Sequence, residues 1–311
     1  YYPQSEQATA IRDVLLMELK KQNVGVVCGC GIRGIEKTAK GFTFHTKGGD
    51  FYATKCIMAT GGKTLKKSGS DGSGFLYLES LGHHIIDLVP GLIGLKGKQS
   101  FFADIAGIRA DVKVDLYIES THVCSEQGEL QLTNYGISGI PVFQLSRIAT
   151  RALSEQKKVY ATLNFVPFWE KEQCLTYFKE RFKKADEKHI GEALIGFFPE
   201  KLIPVLLEES HIKAAKYANR LQTEELERFI DTVQGLRVDI TDWNTFDTAQ
   251  VTAGGVDTDE IDAETMESKL CPGLYFAGEM VDIDGICGGY NLQWAWSSGA
   301  VAGIHVAREL S

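Results

Sequence analysis

The sequence lacks the marks of a membrane or exported protein. No apolar run approaches the roughly 20 residues that a membrane span requires, and no basic segment followed by an apolar one opens the chain as an export leader would. Positive charge is in short supply: 33 Lys and Arg stand against 41 Asp and Glu, for a net charge of −8. That balance argues against nucleic acid or an anionic membrane surface as the main partner. Cys28 and Cys30 are spaced C-x-C, but no second pair accompanies them, so no metal site is expected. The cysteines number seven in 311 residues, and an odd count in so long a chain excludes a disulfide-framed miniprotein. Reduced, mostly buried thiols in a cytoplasmic protein are expected instead. Internal repeats and low-complexity tracts are absent, and the chain opens Tyr1-Tyr2-Pro3 without an initiator Met.

What is present suits an ordinary globular protein. Hydrophobic residues make up 44% and charged residues 24%, enough for a sizeable core in one large or two ordinary domains. Ala8, Ile11, Leu15 and Leu19 recur at helical spacing behind Ser5, which predicts a helix to about Gln22 capped by Ser5. Val24–Val27 reads as a short apolar strand. Residues 41–46 alternate, residues 47–50 turn, and Phe51-Tyr52-Ala53 returns, a hairpin pattern. Strand character recurs at 55–59, 92–96, 111–119, 129–132, 159–166, 235–240, 247–252 and 274–278. Helices are predicted up to Leu81, over 140–153 with Pro141 in the first turn, across much of 169–232 with Thr223 opening the last, and over 291–310. Two βα-rich ends therefore flank a mixed middle. The expected division is 1–87, 88–245 and 246–311, the middle inserted between halves of one domain.

Gly29-Cys30-Gly31-Ile32-Arg33-Gly34 matches the G-x-G-x-x-G pattern letter for letter. A dinucleotide site needs that loop to open a helix whose free amides hold the pyrophosphate. Here residues 35–44 contain a Gly break and an alternating strand, so the segment reads as strand and turn.

Three other segments carry more chemistry. Gly273-Leu274-Tyr275-Phe276-Ala277-Gly278-Glu279 is an apolar strand with an acidic tip; a Gly-rich loop from Asp282 to Gly289 then feeds a helix at Tyr290-Asn291-Leu292. The free amides of such a helix end stabilise negative charge in the loop, and an acidic strand tip accepts hydrogen bonds from ligand hydroxyls. Ile57-Met58-Ala59-Thr60-Gly61-Gly62 is an apolar strand ending in glycines that allow close backbone approach. Val251-Thr252-Ala253-Gly254-Gly255-Val256 likewise runs into a Gly pair.

Together with Tyr-Pro-x-Ser-x-x-Ala at 2–8 and Gly128–Gly139, these motifs resemble one bacterial flavoprotein family. Its members are described as NAD(P)/FAD-dependent oxidoreductases or aminoacetone-oxidase-family enzymes, and it includes a bile-acid-reducing flavoprotein. The segment A-G-E-x-x-D-x-x-G-x-x-G-G-Y-N-L-Q at 277–293 is the most specific match. The resemblance implies an α/β FAD domain of the two-dinucleotide-binding type with an α+β insert, a β-barrel plus helices. It implies cofactor contacts at Thr60, Gly61, Gly62, Gly254, Gly255, Gly278, Glu279, Gly288, Gly289, Tyr290, Asn291 and Leu292, with the backbone of Ile32 near the adenine. Tyr135, Gly136 and Ser138 would face substrate entry. Two departures stand out. The family begins with a βαβ phosphate-binding unit that does not precede Tyr1, so roughly 100 residues are expected to be missing. Cys287 also stands where a Thr is expected.

The expected function is hydride or two-electron transfer through FAD between a small organic substrate, or NAD(P)H as donor, and an acceptor. Tyr135, Tyr290 and Cys287 are the candidate catalytic groups, with Glu279 read as a cofactor ligand. The other reading is an FAD-free fragment acting as a non-catalytic binding module. His83-His84 is expected to end a turn, and Trp294 and Trp296 to pack. Oligomeric state is not legible.

Overall fold

The computed structural model describes residues 3–311; Tyr2, which begins the first family motif, lies outside them with Tyr1. Two compact units divide at Lys55 and Cys56. The first opens with the helix Ala8–Lys21. Its N-cap is Gln7 rather than Ser5, and no side chain caps it. Lys20 and Lys21 lie in its last turn, where they complement the helix dipole. Its apolar stripe is not buried: Ile11, Leu15 and Leu19 are exposed, as are Val24, Val26 and Val27 beyond it. Those valines form no strand, because an apolar run without a pairing partner has no ladder to join. The remainder is an antiparallel sheet of Ile32–Thr38, Gly41–Thr46 and Gly49–Ala53. The G-x-G-x-x-G segment thus opens a strand, as its pattern predicts.

The second unit is dominated by a closed six-stranded barrel. In ring order its strands are Val159–Asn164, Leu236–Trp243, Leu95–Gly97, Gly136–Gly139, Thr121–Thr133 and Arg109–Ile118. Alternation explains its core: Val112, Val114 and Leu116 point inward from one strand, and Leu130 and Leu132 from the next. The helix Ile140–Ser154 buries Val142, Leu145 and Ala149 against it, with Pro141 tolerated at its start. The charged stretch predicted as largely helical folds into Lys171–Lys183, Ile190–Leu194, Leu202–Glu209 and Thr223–Gly235. Their phenylalanines share the barrel's core; Phe178 and Phe229 meet edge to face at 5.5 Å. Thr223 is the first residue of its helix, and Gln222 and Glu225 form a reciprocal capping box.

Two short sheets complete this unit. Val251–Val256 pairs antiparallel with Ile85–Gly91, and Leu274–Phe276 pairs parallel with Cys56–Met58. The helix Tyr290–Leu310 follows the parallel pair; Tyr275 donates its hydroxyl to Glu309 at 2.8 Å. Among the described residues no helix is long and apolar enough to cross a membrane.

Candidate functional site

The tips of three strands meet at Glu279. Its Oε1 accepts the backbone N–H of Thr252 at 2.6 Å, and its Oε2 accepts that of Gly62 at 3.2 Å. The Thr252 hydroxyl oxygen in turn accepts the N–H of Lys63 at 2.8 Å. Approach is so close that a Cβ on Gly62 would stand 2.2 Å from Thr252 Oγ1. Glycine at 62 is therefore a packing requirement. Thr60 contributes its hydroxyl to Met280 Sδ at 3.8 Å, and Gly61 adopts φ +74°.

Gly278 is gripped from both sides by the carboxy-terminal helix. Its N–H donates to Ser298 Oγ at 2.9 Å, and its carbonyl accepts the indole N–H of Trp294 at 3.0 Å. The pair at 254–255 also serves the backbone. Gly254 donates its N–H to Asp282 Oδ1 at 3.0 Å, at φ +98°, and a Cβ there would lie 2.3 Å from Asp87 O. The strand pairing shifts register at this point.

The loop 282–289 is braced from within and from the barrel domain. Gly285 donates its N–H to Asn291 Oδ1 at 2.8 Å, and Asn291 Nδ2 donates to Gly285 O at 2.9 Å. From the helix Ile140–Ser154, Gln144 Oε1 accepts the N–H of Cys287 at 2.9 Å. Arg147 Nη1 donates to Asp284 O and pairs with Asp284 Oδ2, both at 3.0 Å. Gly288 and Gly289 then take φ of +119° and +91°, and nothing lies within 4 Å of a Cβ on Gly289. The first intrahelical bond beyond it is Gln293 N–H to Gly289 O at 3.0 Å, so the amides of Tyr290–Leu292 have no acceptor within the helix.

These elements enclose a cavity of about 310 Å³, walled by Leu92, Val251, Ile286, Leu292 and Trp294, with Glu279, Cys287, Gly288, Gly289 and Asn291 on its lining. Six of the residues expected from sequence therefore share one space. Gly62 reaches that space through Glu279, whereas Gly254 bonds to Asp282, which lines a neighbouring cavity instead. Tyr290 is exposed, its ring beside Gly288 and its Cβ beside Gly285. Tyr135 is half-buried, and its hydroxyl packs on Gly94, where a Cβ would come within 2.6 Å. Ile32 opens a strand of the first unit. Burial pushes the Cys287 thiol upward, so it stays protonated and weakly nucleophilic.

The sequence reading passed over Leu92, Gln144, Arg147 and Ser298. The spacing of 144 and 147, on one face of the helix, is the signal that could have found two of them. His83 ends the turn after the helix Ser73–Ser80, as expected, but its ring has a further role. The ring is buried and joins two distant segments: Nδ1 lies 2.7 Å from Glu260 Oε2 and Nε2 2.9 Å from Ser268 Oγ. Ser268 Oγ accepts the amides of Cys271 and Leu270, so its hydroxyl proton is directed at Nε2. Trp294, expected only to pack, makes the hydrogen bond to Gly278 described above.

A cofactor of the FAD type fits this donor set. Glu279 keeps lone pairs beyond its two amide bonds, the first amides of the helix have no acceptor among the described residues and favour negative charge, and the walls are largely apolar.

The family described as HI0933-like protein Rossmann domain matches residues 1–305; nothing in that match supports the expected loss of an amino-terminal unit. The chain is 43% identical over 302 residues to a 3-dehydro-bile acid delta(4,6)-reductase from Clostridium scindens, covering 97% of this chain and 74% of that protein. It is 29% identical over 293 residues to a ribosomal RNA dihydrouridine synthase from Escherichia coli, covering 94% and 70%. A ribosomal RNA dihydrouridine synthase from Haemophilus influenzae is 26% identical, covering 98% and 74%.

Proposed function

The chain belongs to the HI0933-like Rossmann-domain family, and from that membership we propose that it is an FAD-dependent reductase of carbon–carbon double bonds conjugated to a carbonyl. The names of its relatives support this chemistry. A delta(4,6)-reductase of a 3-dehydro substrate and a dihydrouridine synthase both saturate a double bond that lies near a carbonyl. Such a reaction adds a hydride to the carbon remote from the carbonyl and a proton to the carbon beside it, leaving the donor oxidised by two electrons.

The observation that carries the reading is the cavity where Glu279, the open helix amides and apolar walls meet. Reduced FAD, when bound, supplies the hydride. Glu279 accepts from ligand hydroxyls while holding two strand tips in register. The amides of Tyr290–Leu292 stabilise negative charge at the pocket end. The buried Leu92 and Val251, with Trp294 beside them, keep water from that part of the wall, which strengthens those interactions. A small apolar enone suits these walls better than RNA does, and the net charge of −8 opposes a polyanion. The electron donor we assign is a reduced nicotinamide.

FAD titration followed by visible absorbance is the first test. A saturable flavin spectrum is expected; protein that stays colourless with excess FAD favours the non-catalytic binding module and overturns the reductase. Anaerobic protein reduced with dithionite, then mixed with a steroid enone or with ribosomal RNA lacking dihydrouridine, separates the two substrate classes. NADH and NADPH, replacing dithionite, test the donor.

A further inference from the structure

The loop that leads to the open helix amides runs antiparallel along one face of the helix Ile140–Ser154. Arg151 pairs with Asp282 at 3.7 Å, Arg147 holds Asp284 by carbonyl and carboxylate, and Gln144 accepts the N–H of Cys287. Positions 144, 147 and 151 share that face because they stand three and four residues apart. Val142, Leu145 and Ala149 lie on the opposite face, buried against the barrel. The helix therefore ties the barrel core to the loop, through three side chains that do not line the first cavity. The three contacts are unequal. Asp282 also accepts the N–H of Gly254, and Gln144 carries no charge. The Asp284 side chain is only 9% exposed, and Arg147 is its one partner among the described residues. Removing one member of a buried pair costs far more than removing both, because the remaining charge is stranded. Without the guanidinium, Asp284 reaches water only if the loop moves outward. Gly285, next in the chain, makes the two hydrogen bonds to Asn291 that fix the loop against the start of the last helix.

We infer that Arg147 is a positioning residue for the cofactor site. It neutralises Asp284, holds the loop against the barrel's helix, and so keeps the first amides of the helix Tyr290–Leu310 in place at the cavity, without touching the ligand itself. Linkage makes the effect reciprocal: FAD strengthens the Arg147–Asp284 pair by the factor by which the pair raises FAD affinity. The inference rests on FAD as the occupant of the first cavity for its binding consequence, but not for its effect on the loop.

The experiment measures FAD affinity in wild type, Arg147→Met, Arg147→Lys, the double variant Arg147→Met with Asp284→Asn, and Leu145→Val on the face turned to the barrel. Hydrogen–deuterium exchange at the Cys287 amide is followed in the same proteins without FAD. Arg147→Met should weaken FAD binding by about tenfold or more, and Cys287 should exchange faster as the loop opens. Adding Asp284→Asn removes the stranded charge, so the double variant should lie closer to wild type than Arg147→Met does in both measurements. Arg147→Lys, which keeps the charge, should fall between wild type and Arg147→Met. Leu145→Val should lower the melting temperature and leave FAD affinity as in wild type. A double variant that binds FAD as weakly as Arg147→Met, with Cys287 still protected, would make Arg147 a direct ligand contact and overturn the positioning role. Unchanged affinity and exchange in Arg147→Met would overturn it as well, and so would an equal loss of affinity in Leu145→Val, which would reduce the effect to general stability. Should wild type itself take up no FAD, the cofactor reading fails by itself. Exchange at Cys287 then decides the brace, equal rates in wild type and Arg147→Met refuting it.

Discussion

The carboxylate of Glu279 and the backbone amide of Thr252 are joined at 2.6 Å across 27 positions of sequence, and the same carboxylate reaches Gly62 at 3.2 Å. One side chain thus fastens two strand tips to a third. Glu279→Ala leaves two part-buried amides without that acceptor, and each unsatisfied donor costs about 1–3 kcal/mol. A loss of roughly 2 kcal/mol or more is expected in urea unfolding, together with weaker FAD binding. Glu279→Gln, which keeps one carbonyl acceptor, should fall between the two.

Gly62→Ala tests the packing beside this junction. Its Cβ would stand 2.2 Å from Thr252 Oγ1 and force that side chain off the Lys63 amide. Overpacking of this kind costs about 1–3 kcal/mol. The melting temperature should fall, and a variant as stable as wild type would show that the strand tips have room to separate.

His83 joins Glu260 and Ser268 in the hydrogen-bonding order of a hydrolase triad, but its ring and the serine are buried. The arrangement fastens the turn at 258–260 and the loop at 268–271 to the end of the helix Ser73–Ser80. His83→Leu takes one bond from each partner, Glu260 keeping the His84 amide and Ser268 Oγ those of Leu270 and Cys271, for an expected loss of about 1–3 kcal/mol in chemical denaturation. Ester hydrolysis should be the same, at background, in wild type and Ser268→Ala.

Burial, with Cys271 nearby, pushes the Cys56 thiol from 9.0 up to about 12. The sign follows from proton counting. Below pH 9 both states hold the proton and the thiol contributes no pH dependence. Above pH 9 the unfolded chain releases it while the folded chain retains it, so stability falls as pH rises towards 12. The slope from this group is at most about 1.4 kcal/mol per pH unit. Denaturation between pH 8.5 and 10.5 should show a steeper decline for wild type than for Cys56→Ala.

The thiol of Cys287 offers a contrast in access. Its burial is partial and it lines the first cavity. Alkylation with a small maleimide should be slow, since burial raises this thiol, and FAD should slow it further. Labelling that ignores FAD would place the cofactor elsewhere.

Much of the architecture is legible because periodicity reports burial. The strand over 109–118 alternates inward Val112, Val114 and Leu116, and the helix over 140–154 carries its apolar stripe on the barrel. The strand tips are legible because glycine and a terminal carboxylate are unusual there. Failures came where meaning depends on distant partners. Val24–Val27 has strand-forming residues but no neighbouring ladder. His83 finds its partners 177 and 185 positions away. Gln144 and Arg147 look like solvated helix positions until a loop some 140 residues later closes on them. Gly254 reads as room for a ligand, whereas Asp87 O occupies that space. Ser5 has the chemistry of a cap, but the helix begins two residues after it could serve.

The double hydrogen bond between Asn291 and Gly285 closes a seven-residue ring before any ligand arrives. Its consequence is kinetic as well as thermodynamic. The ordering entropy of the loop is spent during folding, so capture of a ligand need not wait for the loop to find its shape. In hydrogen–deuterium exchange the amide of Gly285 should be slow with or without FAD, reporting only the opening of the ring. The amides of Tyr290–Leu292 should exchange quickly until the pocket fills, so one short segment would carry both a fixed reference and a reporter of occupancy.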